Sequence, residues 1–383
     1  MELAPAHAAL AYYYVLSSLH ATTCRGYGVQ LRAMLTLDQF QYELPVKSIA
    51  QEPTHPRDHA RLMLINRQNG TISHHHVYDL PSLLPKDYDM VANNTKVFPA
   101  RLQGKKTTGG RVEVLLLSPL GHSRYHCLTR PGLKMGDSVH FGDLQGSIIH
   151  CEKDGMERTI HFDCNEGELK AAIAKVGTMP TPPYIKKMVK NPDDYQTIYA
   201  KYGFSAAAPT AGLHFTPELL HALKRTHRFD ELTLNVGLGT FLPVKTNNVT
   251  EHPMHSESFT ISSSAALSMN ASHLAGKKRL VVGTTTLRAL ESAADTSGHI
   301  EAVSKSTKIY IYPPYRFRAT DALMTNFHLP GSTLLMLVSA FTSYPETEKR
   351  FTNFRDSLLG HAYAEAVRLN YRFFSFGDAM LIL

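Results

Sequence analysis

Cysteine is scarce: Cys24, Cys127, Cys151 and Cys164 are the only four in 383 residues. They form no Cys-x-x-Cys pair and no spacing typical of zinc ligands, which excludes a disulfide-stapled scaffold and a zinc ribbon and makes a reducing, cytoplasmic setting the expectation. No apolar run reaches the roughly 18 residues of a membrane-spanning helix. The longest, around Leu334–Val338, reads as a buried helix. A Walker A loop, a Gly-x-Ser-x-Gly elbow, a His-Glu-x-x-His helix and an arginine-rich tract are also missing, which removes the commonest signatures of nucleotide hydrolysis, serine-hydrolase chemistry and zinc proteolysis.

What is present describes an ordinary globular chain: 43% hydrophobic and 19% charged, with 21 prolines and 24 glycines. The length suits two or three domains of about 150 residues each. Lys and Arg number 40 against 33 Asp and Glu, a formal charge of +7, and 21 histidines would add to it in acid. The excess lies in small clusters, Lys105/Lys106/Arg111, Lys186/Lys187/Lys190, Lys277/Lys278/Arg279 and Arg316/Arg318. Such a folded basic surface suits a polyanion, although dispersed lysines also serve solubility alone.

Leu3–Leu19 is apolar, but the segment before it carries Glu2 and no Lys or Arg, so the basic start of a secretion signal is absent. Residues 1–33 are expected to be a poorly ordered N-terminal extension, with Met34 the working start. From Pro99 to about Asp163 short β-type runs follow one another: Val112–Leu117, Ser138–Phe141, Gly146–His150 and Thr159–Phe162. Closely spaced strands of this kind predict a small barrel. Beyond them, helical stretches (Glu166–Val176, Pro217–Thr226, Ala265–Ala275) alternate with strand-like ones (Leu232–Val236, Arg279–Val282, Lys308–Tyr312). The expected fold class is α/β, a larger α/β domain (34–98 and 166–383) interrupted by an inserted small β-barrel domain (99–165).

Several segments could carry chemistry. Val236–Phe241 holds Gly237 and Gly239 after a strand but lacks the third glycine of a dinucleotide fingerprint, so the pair predicts a tight turn or a close backbone approach. In Leu280–Ala294 a strand ends at Gly283 and Thr284, Thr285 and Thr286 open a helix whose positive end suits a carboxylate or phosphate, unless the threonines merely cap it. Arg288 and Glu291, one turn apart there, could be a surface pair. In Glu251–Glu257 the histidines His252 and His255 sit near Glu257, but Pro253 forbids the helix of a zincin. That segment is an acid/base or ligand loop, or a plain surface loop. Ala206–Phe215 is too apolar for a solvent loop and too broken by Pro209 and Gly212 for a helix; a ligand against it, near His214, would explain buried irregular backbone. In Ala322–Phe341 a strand ends at Asn326 and His328, where α/β sheets usually bind ligands, before Ser332 or Thr333 caps a helix. The histidines at 74–76 read as a surface turn.

Taken in order, SIAQEP (48–53), NNTKVFPARL (93–102), GGRVEVLLL (109–117), MPTPPYI (179–185), YQTIYA (195–200), AAPTAGLHF (207–215), VGLGTFLPV (236–244), EHPMHSE (251–257), VGTTTLRALE (282–291), TNFHLPGSTLLMLVSAF (325–341) and YRFFSFGDAM (371–380) closely resemble the S-adenosylmethionine:tRNA ribosyltransferase-isomerases of queuosine biosynthesis. The resemblance runs from about Met34 to Leu383. Asn235, where the family often has His, and Pro314-Tyr315, in place of Gly-Phe, depart from it.

The resemblance implies an α/β domain with an inserted barrel. It also implies a transferase that moves the ribosyl part of S-adenosylmethionine onto the aminomethyl group of a 7-deazaguanine in tRNA and releases adenine and methionine. S-adenosylmethionine is then a co-substrate, with no metal and no further cofactor, and tRNA is the partner of a monomer that needs no membrane. On this reading His214, His255 and His328 are candidates for proton transfer, with Glu257 and Asp378 orienting a histidine or attracting the sulfonium. Thr284, Thr285 and Arg288 would hold the methionine or ribose part, Asn326 would contact adenine, and Gly237 and Gly239 would approach the ligand. The basic clusters and the barrel would bind tRNA phosphates. A methyltransferase on the same donor, a non-catalytic RNA-binding protein and a metal hydrolase built on His252 and His255 are the competing readings.

Overall fold

The computed structural model describes residues 34–152, 157–187, 189, 191–237 and 244–383. The extension 1–33 and Gly239 lie outside the described residues. In chain order the strands are β1 (Arg61–Ile65), β2 (Ile72–His76), β3 (Tyr88–Asn93), β4 (Thr95–Val97), β5 (Arg101–Lys106), β6 (Arg111–Gly121), β7 (Arg124–Arg130), β8 (Ser138–Phe141), β9 (Leu144–Cys151), β10 (Glu157–Phe162), β11 (Gly177–Thr178), β12 (Tyr202–Ser205), β13 (Phe229–Leu234), β14 (Glu257–Ile261), β15 (Lys278–Val282), β16 (Val303–Thr307), β17 (Ala322–Asn326) and β18 (Ala379–Ile382).

Val281 and Leu323 point to one face of a sheet, and Leu280, Val282, Ala322 and Met324 to the other. Strands apolar on both sides must be covered on both sides. Helices Thr284–Ala293, Thr333–Phe341 and Leu358–Arg368 pack on the first face. Helix Pro217–Lys224 covers the second through Leu219 and Leu223. The sheet has nine strands in the order β16-β14-β13-β3-β15-β17-β18-β1-β2. Its centre, β13, β3, β15 and β17, is parallel, so four C-terminal ends share one edge.

The second sheet closes on itself. Strands β5-β6-β7-β10-β9-β8 run antiparallel, and β8 returns to β5 with His140 opposite Lys105. Gly104 permits that closure: a Cβ there would lie 2.5 Å from the His140 carbonyl oxygen and 2.7 Å from the Phe141 ring. Val114, Ile148 and Ile160 fill the interior, and Leu169 and Ile173 of helix Glu166–Val176 join that core. The chain is thus α/β with a closed six-stranded antiparallel barrel, as its pattern and the resemblance implied.

Three local expectations are corrected. Lys308–Tyr312 is not a strand, because its neighbour β14 begins at Glu257 and the ladder ends at Thr307 opposite it. The histidines at 74–76 form edge strand β2, in which His74 Nδ1 meets the Tyr371 hydroxyl at 2.7 Å, so they are not a surface turn. β5 and β7 add two strands to the expected runs; their outward faces are basic, which hides the apolar alternation. Among the described residues no helix is long and apolar enough to cross a membrane.

Candidate active site

At the shared edge the chain leaves β15 through Gly283, whose φ of 88° is open to glycine. Its N–H donates to the Met324 carbonyl at 2.8 Å. Thr284 and Thr285 then start a ten-residue helix with its first amides unpaired by helical bonds. From β17 the chain passes through Asn326 and His328, and Ser332 caps the next helix by accepting from the Leu335 N–H at 3.2 Å. Ala208–Ala211 lies opposite, and Tyr184, Phe374 and Ser375 complete a cavity of about 360 Å³. That volume falls in the roughly 300–1,000 Å³ usual for small-ligand sites.

Among the described residues lining this cavity there is no Asp, Glu, Lys or Arg. Its polarity comes from a helix N-terminus, hydroxyls, one amide and one imidazole. Aromatic rings provide the rest: Tyr184 and Phe374 stand 4.8 Å apart, and the Tyr184 hydroxyl lies 2.8 Å from that of Ser375. Such a pocket suits a cation bearing a carboxylate, with the cation over ring faces and the carboxylate at the helix start.

His328 lines the cavity. Its Nε2 lies 2.9 Å from the Thr325 hydroxyl, its backbone N–H donates to the Tyr363 hydroxyl at 2.9 Å, and the Tyr42 hydroxyl donates to its carbonyl. Nδ1 has no hydrogen-bond partner among the described residues. Burial pushes this imidazole down to about 3, so the ring is neutral near pH 7.

His214 is buried one layer behind. The Asn326 amide donates to its Nε2 at 3.2 Å and to the Phe374 carbonyl at 3.0 Å, while Asn326 Oδ1 accepts from Thr210 at 3.3 Å. With both amide hydrogens used, His214 Nε2 is the acceptor and its proton sits on Nδ1. Burial first, then Arg372 and Arg57, hold it down to about 4. His214 touches Asn326, which faces the cavity, and is absent from the lining itself.

Thr284, Thr285 and Asn326 therefore share the cavity with His328; the other described candidates are not among its lining residues. Glu257 turns inward to ion-pair with Arg288, and its Oε1 accepts from the Gly237 N–H at 3.1 Å. Arg288 and Glu291 are no surface pair: both are buried, and Glu291 accepts from the Arg318 and Ala319 amides at 2.9 and 3.0 Å. Asp378 hydrogen-bonds no histidine among the described residues; it accepts from the backbone N–H groups of Arg61 and Arg372, at 2.9 and 2.8 Å, and from the Arg61 side chain. Gly237 has no positive φ, and among the described residues a Cβ there would meet Glu257 Cγ at 4.0 Å. His255 is exposed while Glu257 is buried, and among the described residues no three His, Cys, Asp or Glu side chains gather as metal ligands. Asn235 is a tie between segments, accepting from Thr95 and Phe204 at 3.1 and 3.0 Å.

Tyr184, Thr325, Phe374 and Ser375 were not singled out from sequence, although MPTPPYI, TNFHLPG and YRFFSFGDAM contain them. Their signal was block membership; nothing in an isolated Tyr or Phe separates cavity wall from core.

Against known proteins, a family described as queuosine biosynthesis protein matches residues 37–382. The S-adenosylmethionine:tRNA ribosyltransferase-isomerase of Moorella thermoacetica is 46% identical over 355 residues, covering 91% of this chain and 100% of that protein. Its namesake from Symbiobacterium thermophilum is 47% identical with the same coverage. The crystal structure of S-adenosylmethionine tRNA ribosyltransferase from Thermotoga maritima is 34% identical, with a TM-score of 0.50 over 90% of this chain and 100% of that one. With nearly its whole described length matched in sequence and in fold, this chain belongs to the queuosine biosynthesis protein family.

Proposed function

We propose that this chain is an S-adenosylmethionine:tRNA ribosyltransferase-isomerase, a monomeric cytoplasmic enzyme that transfers and isomerises the ribosyl moiety of S-adenosylmethionine. The acceptor is 7-aminomethyl-7-deazaguanine at the tRNA wobble position, and the products are epoxyqueuosine-tRNA, adenine and methionine. The observation that carries the reading is the cavity: an uncharged, aromatic-walled pocket at the parallel-strand edge, beside a helix N-terminus, in a chain of this family. Residues 99–165 are proposed as a domain inserted into the α/β domain.

The sulfonium acidifies the neighbouring ribose 5′ carbon, so one proton must leave that carbon. Adenine must gain one as it departs with the glycosidic electron pair. The C–S electron pair stays on sulfur, so methionine leaves as a neutral thioether, while the acceptor amine forms the new N–C bond to the ribosyl unit and gives up one of its protons. His328 is assigned to this proton traffic because its Nδ1 is the uncommitted nitrogen on the lining. Thr284 and Thr285, with the amides of their helix start, hold the methionine carboxylate or the ribose hydroxyls. Asn326, fixed from behind by His214, contacts adenine. No carboxylate is needed against the sulfonium: Tyr184 and Phe374 offer ring faces, and a nearby anion would lower the acidity that the reaction requires.

Incubation with S-adenosylmethionine and tRNA carrying the aminomethyl-deazaguanine tests the reading. Adenine and methionine should form in equal amounts, one each per tRNA modified. Formation of S-adenosylhomocysteine would identify a methyltransferase, and binding without any product an RNA-binding protein.

A further inference from the structure

The barrel carries a second concavity, an open groove of about 740 Å³ on the β5–β8 side. We propose that this groove is a phosphodiester track, in which Lys105, Arg111 and Arg130 hold the RNA backbone while the modified base reaches the cavity of the α/β sheet. The inference rests on the reading that the chain acts on tRNA, and it assigns the backbone contact to one place.

The register carries the argument. Lys105 stands directly opposite Arg111 on β6 and opposite His140 on β8. Opposed positions bring side chains within about 5.5 Å, and like charges there destabilise a sheet. Such an arrangement favours an anion, and among the described residues no carboxylate lies within ion-pair distance of Lys105, Arg111 or Arg130. Glu113, opposite Gln103 and Arg130, is the groove's carboxylate, and it lies 3.8 Å from Arg101. Asp137 is taken by Lys106 at 3.2 Å. Lys105, Arg111 and Arg130 have no carboxylate partner among the described residues, and all three are exposed. The hairpin tip between Lys106 and Arg111, Thr107-Thr108-Gly109-Gly110, carries no acid and little bulk.

Three residues of the other basic clusters are differently placed. Lys278 pairs with Asp87 at 3.5 Å, Arg279 is buried with its guanidinium on the Gly298 carbonyl, and Lys187 pairs with Glu52 at 3.2 Å. The groove also explains what its occupant lacks. Among its described lining residues His140 is the one aromatic ring, so these offer little platform for stacking bases. Contacts to phosphate position an RNA without reading its sequence.

The test is equilibrium binding of tRNA across a potassium chloride series, together with steady-state kinetics. The Lys105→Ala, Arg111→Ala and Arg130→Ala variants should each flatten the slope of log affinity against log salt by roughly 0.7 to 0.9. The triple variant should weaken tRNA binding by tenfold or more and raise the KM for tRNA, with the KM for S-adenosylmethionine unchanged. An unmodified transcript should lose as much affinity as the modified tRNA. Lys305→Ala, on β16 and paired with Glu301 at 3.7 Å, serves as the control and should leave the slope in place. A folded triple variant with wild-type slope and affinity overturns the groove while leaving the enzyme reading intact, since the same preparation still releases adenine. A triple variant that loses affinity for an acidic polypeptide and not for RNA also overturns it. Wild-type protein with neither tRNA binding nor adenine release removes both readings together.

Discussion

The Thr325 hydroxyl lies 2.9 Å from Nε2 of His328. A hydroxyl can donate to that nitrogen or accept from it, so it supports either neutral tautomer and the doubly protonated ring. Nδ1, which has no hydrogen-bond partner among the described residues, can therefore present a lone pair in one step and a proton in the next. His328→Gln should lower kcat by about 10²–10⁴. Thr325→Val should lower kcat by about tenfold with little change in the KM for S-adenosylmethionine, and Thr325→Ser should recover most of it. Full activity in Thr325→Val would separate the hydroxyl from proton transfer.

Two buried neutral histidines also predict a pH dependence of folding. His214 and His328 are held down to about 4 and about 3, against an unfolded value of about 6.5. Between those limits the unfolded chain binds more protons, so stability is complete above about pH 7. It falls as the pH drops through 6.5 toward 4, by about 1.4 kcal/mol per pH unit for each group. Denaturant midpoints measured from pH 8 to pH 4.5 should show this slope, and His328→Gln should reduce it whatever its effect on the plateau. A flat profile above pH 5 would mean that neither ring is sealed in its neutral form.

His214 acts on the cavity only through Asn326. Removing it should release the amide, so His214→Ala should raise the KM for S-adenosylmethionine more than it lowers kcat, the reverse of His328→Gln. Because the two residues form one unit, the effects of His214→Ala and Asn326→Leu should not add in the double variant. A His214→Ala enzyme with normal KM and a kcat reduced as far as that of His328→Gln would place His214 in the proton path.

The larger architecture was legible because its signals are local. Alternation of helix and strand after residue 166 and the turn-rich run before it marked the α/β layers and the barrel, and of the two expected caps, Ser332 and Thr333, it is Ser332 that starts the helix. The edge of the site was legible for the same reason: Asn326, His328, Thr284 and Thr285 lie at strand ends, where an α/β sheet opens. Side-chain direction was not. Glu257 resembles a catalytic carboxylate until its distant partner Arg288 is seen 31 residues away, sealed inside with it. Asp378 belongs to Arg61, 317 residues away. Pairings at such separations depend on sheet order, which one sequence does not contain. β5 escaped notice because its outward face is charged, and that same face lines the barrel groove.

The Glu257–Arg288 pair is a buried ion pair, and breaking one side should be worse than replacing both. Arg288→Met removes the buried guanidinium that faces the Glu257 carboxylate and should destabilise by about 3–5 kcal/mol. Adding Glu257→Gln should return part of that loss, since the buried charge is then removed as well. Chemical denaturation of the single and double variants reads the difference directly. A double variant less stable than either single would show that the pair is held for more than charge balance.

Asp378 separates structure from chemistry most cleanly. It ties β1 to the turn before β18 by accepting from the Arg61 and Arg372 amides and the Arg61 guanidinium. Asp378→Asn keeps the shape but removes the charge, weakening hydrogen bonds worth about 1.5–3 kcal/mol each when charge-assisted. The variant should melt several degrees lower, while the folded enzyme assayed well below that transition keeps its kcat and both KM values. A kcat that collapses in fully folded Asp378→Asn would return this carboxylate to the reaction, and the cavity would then have to rearrange to reach it.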